Sequence, residues 1–294
     1  MDARDFLGLE PTHNPNRWYL PITPGLSTGH GFLFGGCGLA AAIEALEGTT
    51  GRPLVWATAQ YLSYANPPSI MDIDVTVPVA GRAITQARAV AHVAHREILT
   101  VNAALGARSL DTSGSWARRP EVKPPESCPS RIFREFVEDS IMGRMELRLA
   151  KGRNLLDLRA DSPLGPSEDG ECALWARIPD LMEPSAATLA ILGDYVPFGI
   201  GQALGAQAGG NSLDNTLRIG RLVPTEWVLI DVHIDMVASG FGHGTVHLWA
   251  ADGTLMATAS QSTIVRFWSD PDRPGSRGAD RRQTEPETQP EIAI

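Results

Sequence analysis

The stretch Val228-Leu-Ile-Asp-Val-His-Ile-Asp-Met236 decides the fold. Its apolar residues fall at every second position, Val228, Ile230, Val232, Ile234 and Met236, which is the pattern of a strand with one buried face. Met71-Asp-Ile-Asp-Val-Thr-Val77 shows the same alternation, and an offset of 157 residues superposes Asp74 on Asp231 and Val75 on Val232. The same offset relates Pro67 to Pro224 and Gly36 to Gly193. Each stretch follows a glycine-flanked helical segment, Gly36–Leu46 in one case and Pro197–Ala208 in the other. Further strands are expected at Thr85–Val93, Glu97–Ala104, Thr245–Ala250 and Leu255–Phe267, with Asp252-Gly253 turning the last pair. One helix followed by an antiparallel meander, twice over, implies a duplicated α+β unit. A doubly wound sheet needs strands alternating with helices, and that alternation is missing.

Working outward, Arg118–Ser130 holds four of the 22 prolines and reads as a linker. Helical spacing of Ile132, Phe133, Phe136, Val137 and Ile141 suggests a connecting helix over Arg131–Ala150. The charged, proline-containing stretch from Ser269 onward reads as a disordered tail. The expected division is therefore residues 14–115, 116–150 (linker and connecting helix), 151–268 and 269–294.

Composition narrows the function. Apolar residues make up 43% and charged residues 20%, so there is enough to build a core. The net charge of -9 argues against nucleic acid as a partner, and any anionic ligand must be attracted by local groups. Cys37, Cys128 and Cys172 are odd in number and far apart, which fits a reducing cytoplasm better than disulfides or a structural zinc site. Met1–Glu10 lacks the pattern of a secretory signal, and no apolar run approaches the ~18 residues of a membrane helix. His92 and His95 are three apart in a strand and face opposite ways, so no metal site is expected there. Gly25-Leu-Ser-Thr-Gly29 has the form of a nucleophile elbow. Pro24 and the delay before the next helix disfavour it, so an esterase built on Ser27 is a third-ranked reading. Gly36-Cys-Gly38 echoes a dinucleotide fingerprint, but no strand–helix–strand unit follows, so close helix packing explains it better. Gly240-Phe-Gly-His-Gly244 reads as a hairpin turn needing positive φ.

Several of these stretches resemble the acyl-CoA thioesterase II family. Phe34-Gly-Gly36 matches the opening of its first helix, and Gln60-Tyr-Leu-Ser-Tyr-Ala-Asn-Pro67 resembles one of its strands. Gly81-Arg82 resembles the Gly-Arg before the next strand. Ser212-Leu-Asp214 resembles its Ser/Thr-hydrophobic-Asp-His start, and Asp252-Gly-Thr-Leu255 with Ala259-Ser-Gln261 its ending. The resemblance implies a double hotdog: two long central helices, each wrapped by an antiparallel sheet. It also implies hydrolysis of an acyl-CoA or acyl-carrier thioester without cofactor or metal, in a homodimer or higher homo-oligomer. Carried over, Asp194, Ser212 and Gln261 would hold and activate a water. Gly36, Tyr61, Gly193, Phe198 and Leu204 would contact substrate. Asn215 departs from the family, which usually has His there, and the first-half His-Ser-x-His is missing. An acyl-thioester binder or a hotdog lyase or hydratase is therefore the alternative, although the hydratase helix motif is also missing. Subtracting 157 from Asp194 and Gln261 gives Cys37 and Ala104, so one site per chain is expected.

Overall fold

The computed structural model describes the chain except for residues 111, 134–137, 159–164, 182–183 and 269–294. The proposed tail lies outside the described residues. Helix α1 (Ala3–Leu7) is capped by Asp2, whose side chain accepts from Asp5 N–H, and ends on Gly8 at φ +69°. Strands β1 (Glu10–Pro11) and β2 (Arg17–Ile22) lead to helix α2 (Gly35–Thr50). Then come β3 (Leu54–Tyr61), β4 (Ser69–Ala80), β5 (Ile84–Val93) and β6 (Arg96–Gly106). The second half has β7 (Glu146–Lys151), β8 (Glu171–Arg177), α3 (Ala186–Leu192), α4 (Val196–Leu204) and β9 (Ala208–Ser212). It closes with β10 (Asp214–Ile219), β11 (Val228–Ala238), β12 (Phe241–Ala250) and β13 (Leu255–Phe267).

The described strands form one antiparallel sheet, not two, in the order β1-β2-β4-β5-β6-β3-β10-β13-β12-β11-β8-β7, with β9 on β13. Counted outward from the central β3–β10 pair, the halves repeat each other: β3-β6-β5-β4-β2 and β10-β13-β12-β11-β8. The register is symmetric about Thr58 and Thr216, which face each other with hydroxyls 2.7 Å apart. The 157-residue offset holds for Asp74/Val90 against Asp231/His247. It becomes 158 on the next strand, where Val90 faces Thr100 but His247 faces Thr258. The first-half counterpart of Gln261 is thus Ala103 rather than Ala104.

Four expectations need correcting. Among the described residues only α2 is a long helix; the second half has the shorter α3 and α4, separated at Gly193–Tyr195, and Ala208 already belongs to β9. Helix starts at Gly35 and Val196 do not keep the strand offset, so Cys37 is not the counterpart of Asp194. The residue two before α2, as Asp194 is two before α4, is Leu33. The helical spacing after Arg131 gives no helix from Ile141 on, where a single tight turn (Ile141–Arg144) leads into β7; residues 134–137 lie outside the described residues. Finally, the proline-rich segment is a strap rather than a free linker. Ala117, Val122 and Cys128 pack on Trp175, Leu229 and Trp249 on the sheet's outer face, and Trp175 Nε1 donates to Lys123 O at 2.8 Å.

The inner face holds the core. Leu39, Ile43 and Leu46 of α2 lie against Leu20, Met71, Ile73 and Leu99. Small residues let α2 approach α3 closely: a Cβ on Gly36 would stand 2.9 Å from Ile191 Cα. The turn before β12 uses Ser239 and Gly240 at φ +52° and +81°; the rest of the expected turn, Phe241–Gly244, is already strand β12. No described helix is long and apolar enough to cross a membrane.

Candidate active site

The break between α3 and α4 sits opposite the start of α2, and it aims Asp194 into the interior. Asp194 is 7% exposed. Its Oδ2 accepts the Gly36 N–H at 2.6 Å, a donor in the first turn of α2, where backbone N–H groups lack helical partners. Its Oδ1 accepts Gln261 Nε2–H at 2.5 Å and the Ser212 hydroxyl at 3.4 Å. Gln261 Nε2 also donates to Ser212 Oγ at 3.1 Å, and Gln261 Oε1 accepts Val196 N–H at 3.1 Å. That last bond fixes the amide orientation, because only its oxygen can face the helix N–H. The three residues expected from the sequence therefore meet, although they come from a helix break, the end of β9 and the middle of β13. Burial raises the Asp194 carboxyl above its ordinary 3.8, against the lowering pull of Gln261, Gly36 and Ser212.

Three polar side chains beside this trio are buried without a partner. Tyr61 Oη, Asn215 Oδ1 and Nδ2, and Thr263 Oγ1 meet no described atom at hydrogen-bond geometry, although Tyr61 and Asn215 lie close enough to each other that Asn215 pulls on the Tyr61 phenol. Tyr61 borders the carboxylate directly: the Cβ position of Gly35 lies 2.7 Å from Asp194 Oδ2 and 3.2 Å from Tyr61 Oη. Burial and the Asp194 charge push the Tyr61 phenol well up, so it stays a hydrogen-bond donor. Buried polar groups are nearly always satisfied, so unpaired ones at one spot mark where a ligand's polar atoms belong.

Asp194 also lines a cavity of about 260 Å³. Its wall is mostly apolar, with Phe34, Phe133, Met142, Leu158, Phe198 and Trp268 among the lining residues. Arg131 caps it, its guanidinium 4.4 Å from the Phe198 ring centre and 4.7 Å from that of Phe133. Phe198 thus stands where the sequence reading put it. Leu204 lies at the end of α4, outside the residues lining the cavity. Gly193 is packed against Ala259 and Leu248 as the cap of α3. Gly36 N–H donates to the carboxylate, and Tyr61 stands near it. Arg131, Phe133 and Trp268 were missed, because nothing in their local pattern shows that they converge. Ser27 is buried, and its hydroxyl donates to Thr23 O at 2.8 Å, which leaves no nucleophile there.

The chain thus combines an antiparallel sheet folded around helices with a buried carboxylate in the wall of an apolar cavity. Comparison with known proteins gives the family. The profile of the acyl-CoA thioesterase C-terminal domain matches residues 125–265. A crystal structure from Novosphingobium aromaticivorans, described as a "putative thioesterase", is 33% identical, with a TM-score of 0.76 over 87% of this chain and 97% of its own. An acyl-CoA thioesterase II from Mycobacterium marinum is 17% identical, with a TM-score of 0.69 over 91% of this chain and 99% of its own. A hot dog fold protein of Alicyclobacillus acidocaldarius, also 17% identical, reaches 0.76 over 90% and 97%. No curated protein sequence matches the chain. The chain belongs to the thioesterase family of that 33%-identical structure, and residues 125–265 match the acyl-CoA thioesterase C-terminal domain.

Proposed function

We propose that the chain hydrolyses an acyl-CoA thioester to a free acid and CoA, using a water held by Asp194, Ser212 and Gln261. The observation that carries this reading is the buried carboxylate whose neighbours are all donors, set at the end of an apolar cavity. The water gives a proton to Asp194 as its oxygen attacks the thioester carbonyl carbon. The C–S bond then breaks, and the proton passes to the departing thiolate. A raised carboxyl suits a base better than an ordinary one, because proton transfer is then less uphill. The unpaired Tyr61 O–H and Asn215 N–H are donors suited to the carbonyl oxygen, whose charge grows in the transition state. Asn215 in place of the family's usual His keeps a donor at that point. The acyl chain would lie against Phe198. Since drug-sized ligands occupy roughly 300–1,000 Å³, the cavity suits the acyl group and leaves CoA outside.

The repeated strand order about Thr58 and Thr216 supports two hotdog units in one chain, with the α3–α4 break as the modification that makes one half catalytic. The test is thiol release from a panel of acyl-CoAs by wild type, Asp194→Ala and Gln261→Ala. Activity in wild type, lost in both folded variants, supports hydrolysis. An inert wild type whose melting temperature nonetheless rises with acyl-CoA would replace it with a non-hydrolytic thioester binder.

A further inference from the structure

The outer face of the second half carries a cluster that thioester chemistry does not use. Alternation puts Asp231 and His233 on the side of β11 turned away from the helices, and His247 is the register partner of Asp231 on β12. Asp231 is 2% exposed. Its Oδ2 lies 3.1 Å from His233 Nε2 and 3.6 Å from His247 Nδ1. One donor atom from each of the three residues lies within 4.8 Å of the other two. Against the pull of burial, both ring nitrogens, within ion-pair reach of that oxygen, hold the carboxyl low, yet neither meets it at hydrogen-bond geometry. Behind the cluster, Glu171 Oε1 stands 3.4 Å from His233 Nδ1, and Trp249 Nε1 donates to Asp231 Oδ2 at 3.4 Å.

The first half supplies an internal comparison. There the equivalent Asp74 is answered by Arg17 on the next strand, Nε to Oδ1 at 2.6 Å and a second N–H to Oδ2 at 2.9 Å. In the second half Ala173 faces Asp231 across the ladder, so the guanidinium is gone. Thr76 and Val90 occupy the positions that His233 and His247 fill. Asp74 is also met by His92 Nε2 at 3.2 Å from Oδ2, and the residue at the matching position in the second half is Trp249. The second half thus exchanges a permanent cation and one imidazole for two imidazoles, an indole and the space beside a small side chain.

The geometry points to a divalent metal site of the zinc class, with Asp231 Oδ2, His233 Nε2 and His247 Nδ1 as ligands. With bonds of about 2.0–2.1 Å, tetrahedral ligands sit about 3.4 Å apart, and the two measured separations bracket that spacing. Two imidazoles and one carboxylate suit zinc or a neighbouring transition metal, whereas calcium and magnesium require oxygen ligands. Glu171 would hold the His233 ring by its far nitrogen, the usual outer partner of a metal-bound histidine. The ion would join β11 to β12 on the face opposite Asp194, so its role is to hold the sheet rather than to act on the thioester.

The experiment uses the full chain without an affinity tag, stripped with a chelator and titrated with Co²⁺, then Zn²⁺. One equivalent of Co²⁺ should bind with the visible d–d bands of a four-coordinate ion, and Zn²⁺ should displace it. Zn²⁺ should also raise the melting temperature. His233→Ala and His247→Ala, each removing a side chain that is about 30% or 26% exposed, should abolish the bands and the thermal shift. Glu171→Gln should weaken binding by roughly tenfold or more. Metal-free variants that melt like metal-free wild type show that the loss is in binding. If wild type binds no more Co²⁺ than the His233→Ala/His247→Ala double variant, the cluster is an Asp–His ion pair and the proposal is wrong. Thiol release from acyl-CoA is expected to be the same with and without metal, so the two readings fail separately.

Discussion

Asp194→Asn tests the site with the least change of shape, and the hydrogen bonds dictate its consequence. The carboxylate accepts from three sides: Gly36 N–H on Oδ2, and Gln261 Nε2–H with the Ser212 hydroxyl on Oδ1. An amide must turn an NH₂ toward one of them. Toward Gly36, it faces a fixed backbone N–H. Toward Gln261, that side chain can flip, but its own NH₂ then faces Val196 N–H, which now donates to Oε1. Either way one buried donor is left facing another, at a cost of about 1–3 kcal/mol. Losing the buried charge offsets part of this. The size of that offset depends on pH. Because burial raises the folded carboxyl above 3.8, its contribution is fully present below that value and is lost as pH rises through the folded value. The stability of Asp194→Asn relative to wild type should therefore improve as pH rises out of the acid range. Activity should behave differently. Removing a general base costs about 10²–10⁴-fold, or roughly 2.7–5.4 kcal/mol of barrier. The assays are thiol release from acyl-CoA at several pH values and thermal melting of the same samples. A folded Asp194→Asn with kcat/KM within threefold of wild type would refute the assignment of Asp194 as base.

Three other outcomes are expected. Gly36→Ala puts a Cβ 2.9 Å from Ile191 Cα and 3.0 Å from Ala190 O; overpacking of about 1–3 kcal/mol should outweigh the gain of about 1 kcal/mol in helix propensity. Both melting temperature and activity should fall, and an unchanged melting temperature would show that the helices do not meet as described. The Glu44 carboxyl is pushed up to about 7 by burial and then by Glu47 and Asp2. Ionising it weakens the fold between its ordinary 4.5 and 7, so Glu44→Gln should melt higher than wild type at pH 8 and the same at pH 4; a pH-independent difference would sink this. Phe198→Ala should extend the cavity and move the preferred acyl length upward, with each newly buried methylene worth ~0.8 kcal/mol, roughly fourfold in KM. An unchanged length profile would remove Phe198 from the acyl wall.

Much of the fold could be read because period 2 is a strong signal over Met71–Val77 and Val228–Met236, and β13 ends where its pattern ends. The Arg131–Ala150 reading failed because apolar spacing cannot tell a helix from a turn followed by a short strand when the burying partner is remote. The strap was read as a linker because its anchors are few: Cys128 and Val122 pack on Trp175, and no local pattern announces that. Asp194, Ser212 and Gln261 were found through resemblance, since their own neighbourhoods read as a helix cap and a strand face. The Asp231–His233–His247 cluster was within reach. Asp231 and His233 share a face by alternation, and aligning the β11 and β12 patterns brings His247 opposite. Attention to sequence-adjacent histidines, His92 and His95, passed over a set assembled across a ladder.

The two halves show how a repeated strand order and a candidate site assembled at one place can coexist. Strand order and the Thr58–Thr216 contact preserve the duplication, because a sheet tolerates change only where every neighbour still pairs. Chemistry came where the symmetry was free to break. One helix start is continuous, from Phe34 into α2, and the residue two before it is Leu33. The other is interrupted, and the interruption lets Asp194 turn inward onto the N-terminus of the intact helix. The site therefore needs both halves: the second supplies the carboxylate, hydroxyl and amide, and the first supplies Gly36 N–H and Tyr61. Ala103, the first-half counterpart of Gln261, keeps the mirrored position apolar. A chain split between β6 and β7 should lose activity even if each part kept its strands, because neither part alone can assemble the donors around Asp194.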